Sequence, residues 1–221
     1  MITCGIATLK QREGTFKRTI ESLYPQVDRI IVALNLYDEV PEWLRIMRNV
    51  ECVICDNSLG DAYKFLKVAE CKGYYFSCDD DIYYPKTYIM DTIAKIDSYS
   101  CIITYHGKRY DGVKPVSSYQ KGFSTNIHCL RTLIMDTEVH VGGSGVMSFN
   151  TEDFKLSIDG FIYPNMADVF VAKAAHKQGV KIISLAHKNN YFRYMKPEGE
   201  TIWHKHFRDP RPTEVLNSFL K

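Results

Sequence analysis

The sequence predicts an α/β protein with a mostly parallel central sheet and helices on both faces, a single domain of two merged halves. Three observations point there. Short β-branched or aromatic runs alternate with segments whose apolar residues recur at helical spacing. The connections between them are short, as a doubly wound sheet requires. The run Ile30-Ile31-Val32-Ala33-Leu34 is apolar throughout, as in a strand covered on both faces.

Taken in order, residues 2–7 form a short apolar strand, and Thr15 is placed to cap a helix with Phe16, Ile20 and Leu23 on one face. A strand over residues 29–34 and a short helix after Pro41 lead to a third strand over 50–54. Asp61 then opens a helix whose apolar stripe is Ala62, Phe65, Leu66 and Ala69. Residues 73–77 make a fourth strand. Pro85 starts a helix with Ile89, Ile93 and Ile96 turned inward. Beyond residue 100 the pattern loosens: a strand over 101–105, about forty polar residues, and a strand over 146–149. A helix over 166–178 closed by Gly179 follows, then a strand over 181–185 and a terminal helix over 213–220. Long polar stretches of this kind are functional or mobile.

Composition excludes several classes. With 221 residues and 45% hydrophobic content, the chain has material for a sizeable core. Lys and Arg number 28 against 26 Asp and Glu, a net charge of +2, so bulk charge does not mark a polyanion binder. No recognised nucleic-acid module surrounds its basic residues, and no nucleic-acid partner is expected. No apolar run reaches the ~18 residues needed to cross a bilayer. The N-terminus lacks the features of a secretory signal, so a cytoplasmic location is expected. Seven cysteines are scattered without framework spacing. Cys52 and Cys55 fall on one strand and point to opposite faces, which suits reduced thiols better than a shared metal.

Ligands of doubly wound sheets bind beyond the carboxyl ends of the strands. Those ends carry residues 8–12, Asn35, Asp56-Asn57 and the triplet Asp79-Asp80-Asp81. Three adjacent carboxylates raise one another's pKa unless a cation offsets them, and an all-oxygen donor set selects Mg²⁺ or Mn²⁺. If the triplet is extended, Asp79 and Asp81 share a face while Asp80 turns aside. The bland alternative is an acidic turn at the N-terminus of the next helix.

The run Tyr74-Tyr75-Phe76-Ser77-Cys78-Asp79-Asp80-Asp81-Ile82-Tyr83-Tyr84-Pro85 resembles the D-x-D strand end of glycosyltransferases with the GT-A fold, in the broad family-2-like group. Ile6-Ala7-Thr8-Leu9-Lys10-Gln11-Arg12 is similar to the opening strand and loop that receive the nucleotide. Leu59-Gly60-Asp61-Ala62-Tyr63-Lys64 is similar to the glycine-led helix beside it, and Gly142-Gly143-Ser144-Gly145-Val146-Met147 to the segment under the donor sugar. Pro164-Asn165-Met166-Ala167-Asp168 stands in place of the catalytic-base motif. The resemblance covers residues 2 to about 190. The relatives suggested are small transferases of bacterial surface polysaccharides and of large algal viruses, the latter working in the host cytoplasm. Two departures stand out: Ala167 replaces the first of a common acidic pair, and Lys10-Gln11 replaces a common Tyr-Asn.

The resemblance implies a GT-A, Rossmann-like domain with a nucleotide-sugar half over about 1–100 and an acceptor half over about 101–221, the latter with a mobile C-terminal segment. It implies transfer from a UDP-sugar to a glycan or other hydroxyl acceptor with inversion, assisted by Mn²⁺ or Mg²⁺. Donor contacts fall on Ala7, Thr8, Arg12, Asp56, Gly60, Lys64, Asp79, Asp80 and Gly143. Asp79 and Asp81 would hold the metal, with His204 or His187 completing the set, and Asp168 would be the base. Asp168 also suits the helix macrodipole three residues after a cap at Asn165, a compatible role. Asp153 and Asp159 compete for the base role. The glycines at 142, 143 and 145 allow close backbone approach to a sugar or simply make a turn. Basic residues between His187 and Arg211 suit a flap over a diphosphate or a solvated loop. Two rivals remain: a nucleotidyltransferase, whose glycine-rich basic opening loop is missing after Ile6, and a nucleotide- or carbohydrate-binding module without turnover.

Overall fold

The computed structural model describes residues 1–112, 114–197 and 208–220. Its first half runs β1 (Ile2–Leu9), α1 (Glu13–Leu23), β2 (Arg29–Asn35), α2 (Glu42–Arg45), β3 (Val50–Cys55), β4 (Tyr74–Cys78), β5 (Ile82–Tyr83) and α3 (Tyr88–Tyr99). The second half adds β6 (Ile102–Thr104), β7 (Gly107–Arg109), β8 (Thr125–Ile127), β9 (Thr137–Val139), β10 (Val141–Gly142) and β11 (Val146–Asn150). After these come α4 (Ala167–Gln178), β12 (Ile182–Ser184), β13 (Arg193–Tyr194) and α5 (Arg211–Asn217).

The main sheet has the order β3-β2-β1-β4-β11-β6-β12-β9. β3, β2, β1 and β4 are all parallel, with Ile6 opposite Val32 on one side and Cys78 on the other. The turn to the second half is antiparallel at β4 and β11, where Val146 faces Cys78. β6 and β12 are again parallel. Each face carries its own core. Phe16 and Ile20 of α1 pack with Ile89 and Ile96 of α3 on one face, while Phe65, Phe149, Val171 of α4 and Leu216 of α5 fill the other. No helix among the described residues is long and apolar enough to cross a membrane.

Local expectations fail in instructive places. α1 starts at Glu13, out of a 3₁₀ turn over Lys10–Arg12, and the Thr15 hydroxyl donates to the Arg12 carbonyl instead of capping. Residues around Asp61 form 3₁₀ turns, Gly60–Phe65 and Val68–Glu70, where an α-helix was expected from the apolar stripe. Tertiary burial of Ala62, Phe65 and Val68 sets that geometry. α3 begins three residues after Pro85. The polar stretch beyond residue 105 holds short strands, three of which form a small sheet in the order β10-β7-β8. Gly179 closes α4 as expected, at φ 70° with its N–H on the Ala175 and His176 carbonyls.

Candidate active site

The carboxyl ends of β1 and β4 open into a cleft of about 930 Å³. Its lining includes Ala7, Thr8, Arg12, Gly60, Lys64, Asp79, Asp80, Asp81, Gly143 and Asp168. Sequence positions up to 161 residues apart thus meet in one concavity. Asp56 is not among the lining residues; Asn57 is. The Asp56 carboxylate instead accepts the Ser58 N–H and the Tyr63 hydroxyl, each at 2.8 Å, and the Ser58 bond leads in holding its pKa down to about 2. Asp153 and Asp159 are exposed and lie outside the cleft lining. The buried His187 ring contacts the Leu185 and His128 carbonyls and does not line the cleft. His204 falls outside the described residues.

The triplet is a turn between β4 and β5, so it lacks the strict alternation of an extended segment. Asp80 is 3% exposed, accepts the Thr8 hydroxyl at 2.7 Å and receives Arg12 Nη1 at 2.9 Å. Burial raises its pKa, while Arg12 and Thr8 pull the other way. Asp79 pairs with Lys64, whose side chain is 3% exposed. Burial lowers the Lys64 pKa, but Asp79 and Asp61 outweigh it and the ammonium stays charged. Among the described residues, the Asp81 carboxylate has only a 3.7 Å contact with Arg12. Burial, then Asp79 and Asp80, push its pKa to about 7. Asp61 is also driven to about 7, by burial first, and its Oδ1 has no hydrogen-bond partner among the described residues. Five carboxylates, Asp61, Asp79, Asp80, Asp81 and Asp168, therefore share the cleft with three cationic side chains, Arg12, Lys64 and, on the side of Asp168, Lys108. The excess negative charge and the all-oxygen donors fit a hard divalent ion, and Asp81 is the member of the triplet least engaged by the protein.

The second half reaches the triplet through the β4–β11 junction. The Asp79 N–H donates to the Gly145 carbonyl at 3.3 Å, and the Tyr84 hydroxyl donates to the same carbonyl at 2.5 Å. A side chain on Gly145 would overlap the Asp79 carboxylate. The Ser144 N–H donates to Asp168 Oδ1 at 2.7 Å, fixing that carboxylate in the first turn of α4. Asn165 does not cap α4. It adopts φ 57°, and its side-chain oxygen accepts the Asp61 N–H at 3.3 Å. Gly60, at φ 58°, makes room for that oxygen.

No protein-family model and no curated protein matches the chain by sequence. Solved structures do. TarS 1–349 from S. aureus, in complex with UDP-GlcNAc, is similar with a TM-score of 0.58 at 15% identity, over 90% of this chain and 59% of that one. A second structure of S. aureus TarS 1–349 gives 0.53 at 15% identity, over 99% and 72%. The fold is GT-A. This chain spans 59% of the length of the first TarS chain.

Within this GT-A sheet, several lining residues carried no warning in the sequence. His106, Lys108, Tyr119, His128 and Cys129 line the same cleft. Burial lowers Lys108 to about 8, its ammonium 3.8 Å from the Tyr119 ring centroid. Burial, then His128, lowers His106 to about 4. These residues come from β7, β8 and their loops, whose period-2 signal is two or three residues long. Only their chemistry, histidine and cysteine inside a polar stretch, could have flagged them.

Proposed function

We propose that this chain is a glycosyltransferase that moves a sugar from a UDP-sugar to a hydroxyl of a glycan acceptor, with inversion and with Mn²⁺ or Mg²⁺ bound. Residues up to about 100 hold the donor, and the remainder shapes the acceptor side. The observation that carries this reading is the meeting of Asp79, Asp80, Asp81 and Asp168 in one cleft at the carboxyl ends of β1 and β4. The likeness of the fold to a chain solved with UDP-GlcNAc supports the donor class.

Asp168 Oδ takes the acceptor hydroxyl proton as the oxygen attacks the anomeric carbon, a contribution of roughly 10²–10⁴ in rate. The bond from that carbon to the diphosphate oxygen breaks, and the electron pair leaves on the nucleotide. The Ser144 N–H holds Asp168 in place, so the carboxylate need not reorganise during transfer. Asp81, with Asp79, would hold the divalent ion, which when bound offsets charge on the leaving diphosphate as a Lewis acid. Lys64 fixes the Asp79 carboxylate, while Thr8 and Arg12 fix Asp80. The backbone at Gly142, Gly143 and Gly145 lets a sugar lie close to the chain.

Incubation with a panel of nucleotide sugars and Mn²⁺ tests this. The expected result is metal-dependent release of free nucleotide. In Asp81→Ala, both the release and the cation-dependent nucleotide affinity should vanish while circular dichroism stays native. Tight nucleotide binding without release from any donor would instead support a binding module.

A further inference from the structure

Away from the acidic triplet, the cleft wall carries a second cluster of ligand atoms. His106, His128 and Cys129 each offer one atom, and these atoms all lie within 4.8 Å of one another. All three residues line the cleft. The two imidazoles stand with centroids 4.9 Å apart and planes tilted by 59°. Cys129 is 6% exposed, and none of the chain's seven cysteines is in a disulfide. We propose that these three side chains form a separate site for a borderline divalent ion of the zinc type, with its fourth coordination position open to the cleft.

The donor set decides the class of ion. Two imidazole nitrogens and one thiolate suit Zn²⁺ or Co²⁺, whereas the carboxylates of the triplet suit Mg²⁺ or Mn²⁺. Three protein ligands leave one position of a tetrahedron for water or a substrate oxygen. Around such an ion, donor atoms sit roughly 3.3–3.8 Å apart, given bonds of about 2.0–2.3 Å. The cluster therefore closes with a shift of about 1 Å, which exposed His128 can make.

His106 is held ready. Its backbone N–H donates to Thr104 Oγ1 at 3.3 Å, and its backbone carbonyl accepts Thr104 Oγ1 at 2.9 Å and the Gly143 N–H at 2.7 Å, which fixes the main chain that carries the ring. A Cβ on Gly143 would lie 2.8 Å from the His106 Cβ, so glycine there seats the histidine against the cleft floor. Nor does ordinary hydrogen bonding account for the cluster. Among the described residues, no hydrogen bond joins any two of the three side chains. His128 Nδ1 accepts a long bond, 3.3 Å, from the Leu130 N–H, which a metal at that nitrogen would replace at small loss. Metal binding would release the Cys129 thiol proton to solvent.

The test is titration of the chelator-treated 221-residue chain with Co²⁺. One equivalent should produce a sulfur-to-cobalt charge-transfer band together with tetrahedral d–d bands. Cys129→Ser should lose the charge-transfer band, and His128→Ala, altered at an exposed position, should weaken Co²⁺ binding by roughly tenfold or more. Asp81→Ala should keep the band while losing Mn²⁺-dependent nucleotide affinity, which separates this site from the transferase reading. Absence of the band in the wild-type chain overturns the site. So does its persistence in Cys129→Ser, or its loss in Asp81→Ala, which would mean one shared ion. If Cys129→Ser fails to fold, unchanged Co²⁺ affinity in His128→Ala overturns it equally.

Discussion

The two walls of the cleft carry different kinds of polar group. On the wall from the first hundred residues stand Asp61, Asp79, Asp80 and Asp81, answered by Arg12 and Lys64. On the wall from the second half stand His106, Lys108, His128 and Cys129, where burial favours the neutral forms, to the point that His106 titrates near 4 and Lys108 near 8. Asp168 is the one carboxylate that the second half contributes among the described lining residues. The contrast follows from how each wall is made. Ends of parallel strands converge on one edge and concentrate charge there, so they need counter-ions. Short antiparallel strands and loops instead bury their polar groups in low dielectric, which disfavours charge at His106 and Lys108 even though the Tyr119 ring face attracts the Lys108 ammonium.

The sharpest way to test this division is to remove the lone carboxylate of the second wall. Asp168→Asn should lower turnover by about a hundredfold or more while donor binding, which the proposed function assigns mainly to the first wall, stays near normal. Turnover near wild type would take the proton-accepting role away from that wall altogether.

A smaller effect is expected where the walls join. Gly60→Ala forces a side chain into the left-handed region and onto the Asn165 oxygen, at about 1–3 kcal/mol for the backbone strain alone. Urea denaturation should show that loss, and nucleotide affinity should fall with it because Asn165 and Asp61 no longer register. A variant as stable as wild type would mean that the Asn165 contact does not tie the halves together.

The mildest effect is a slope. Asp61 is half-buried, and desolvation brings its folded pKa to about 7, above about 3.9 for an unfolded aspartate. The folded chain therefore keeps a proton that the unfolded chain releases. That contribution to stability is complete below about pH 4 and fades as pH rises to 7. In chelator, the urea midpoint should fall across that window for wild type and fall less for Asp61→Asn. Equal slopes would show that the first wall's charge excess is not felt as instability.

Much of this was legible in the chain. The alternation of strand and helix over the first hundred residues, the run Asp79-Asp80-Asp81 and the order of glycine-led segments pointed to the sheet and to its charged edge. Most of the residues singled out in advance do line the cleft: Thr8, Arg12 and the triplet because strand ends gather at one edge, and Gly60, Lys64, Gly143 and Asp168 because the family resemblance pointed to them. Asp56 is an exception, being drawn into a local turn with Ser58 that a single residue's identity does not announce. The α-helix expected after Asp61 gave way to 3₁₀ turns, and the Asn165 cap to a contact with Asp61. Both failures arise where a residue's partner lies far along the chain.

The sequence by itself determined the strands β1 to β4 of the first half and the polar residues at their ends, since the apolar period that marks a strand is a local property. Only the tertiary structure decided that Lys64 would neutralise Asp79, that Ser144 would hold Asp168, and that His106, His128 and Cys129 would share a few ångströms. Those pairings span 15, 24 and up to 23 residues, and no local pattern encodes which distant groups a folded sheet brings within bonding distance.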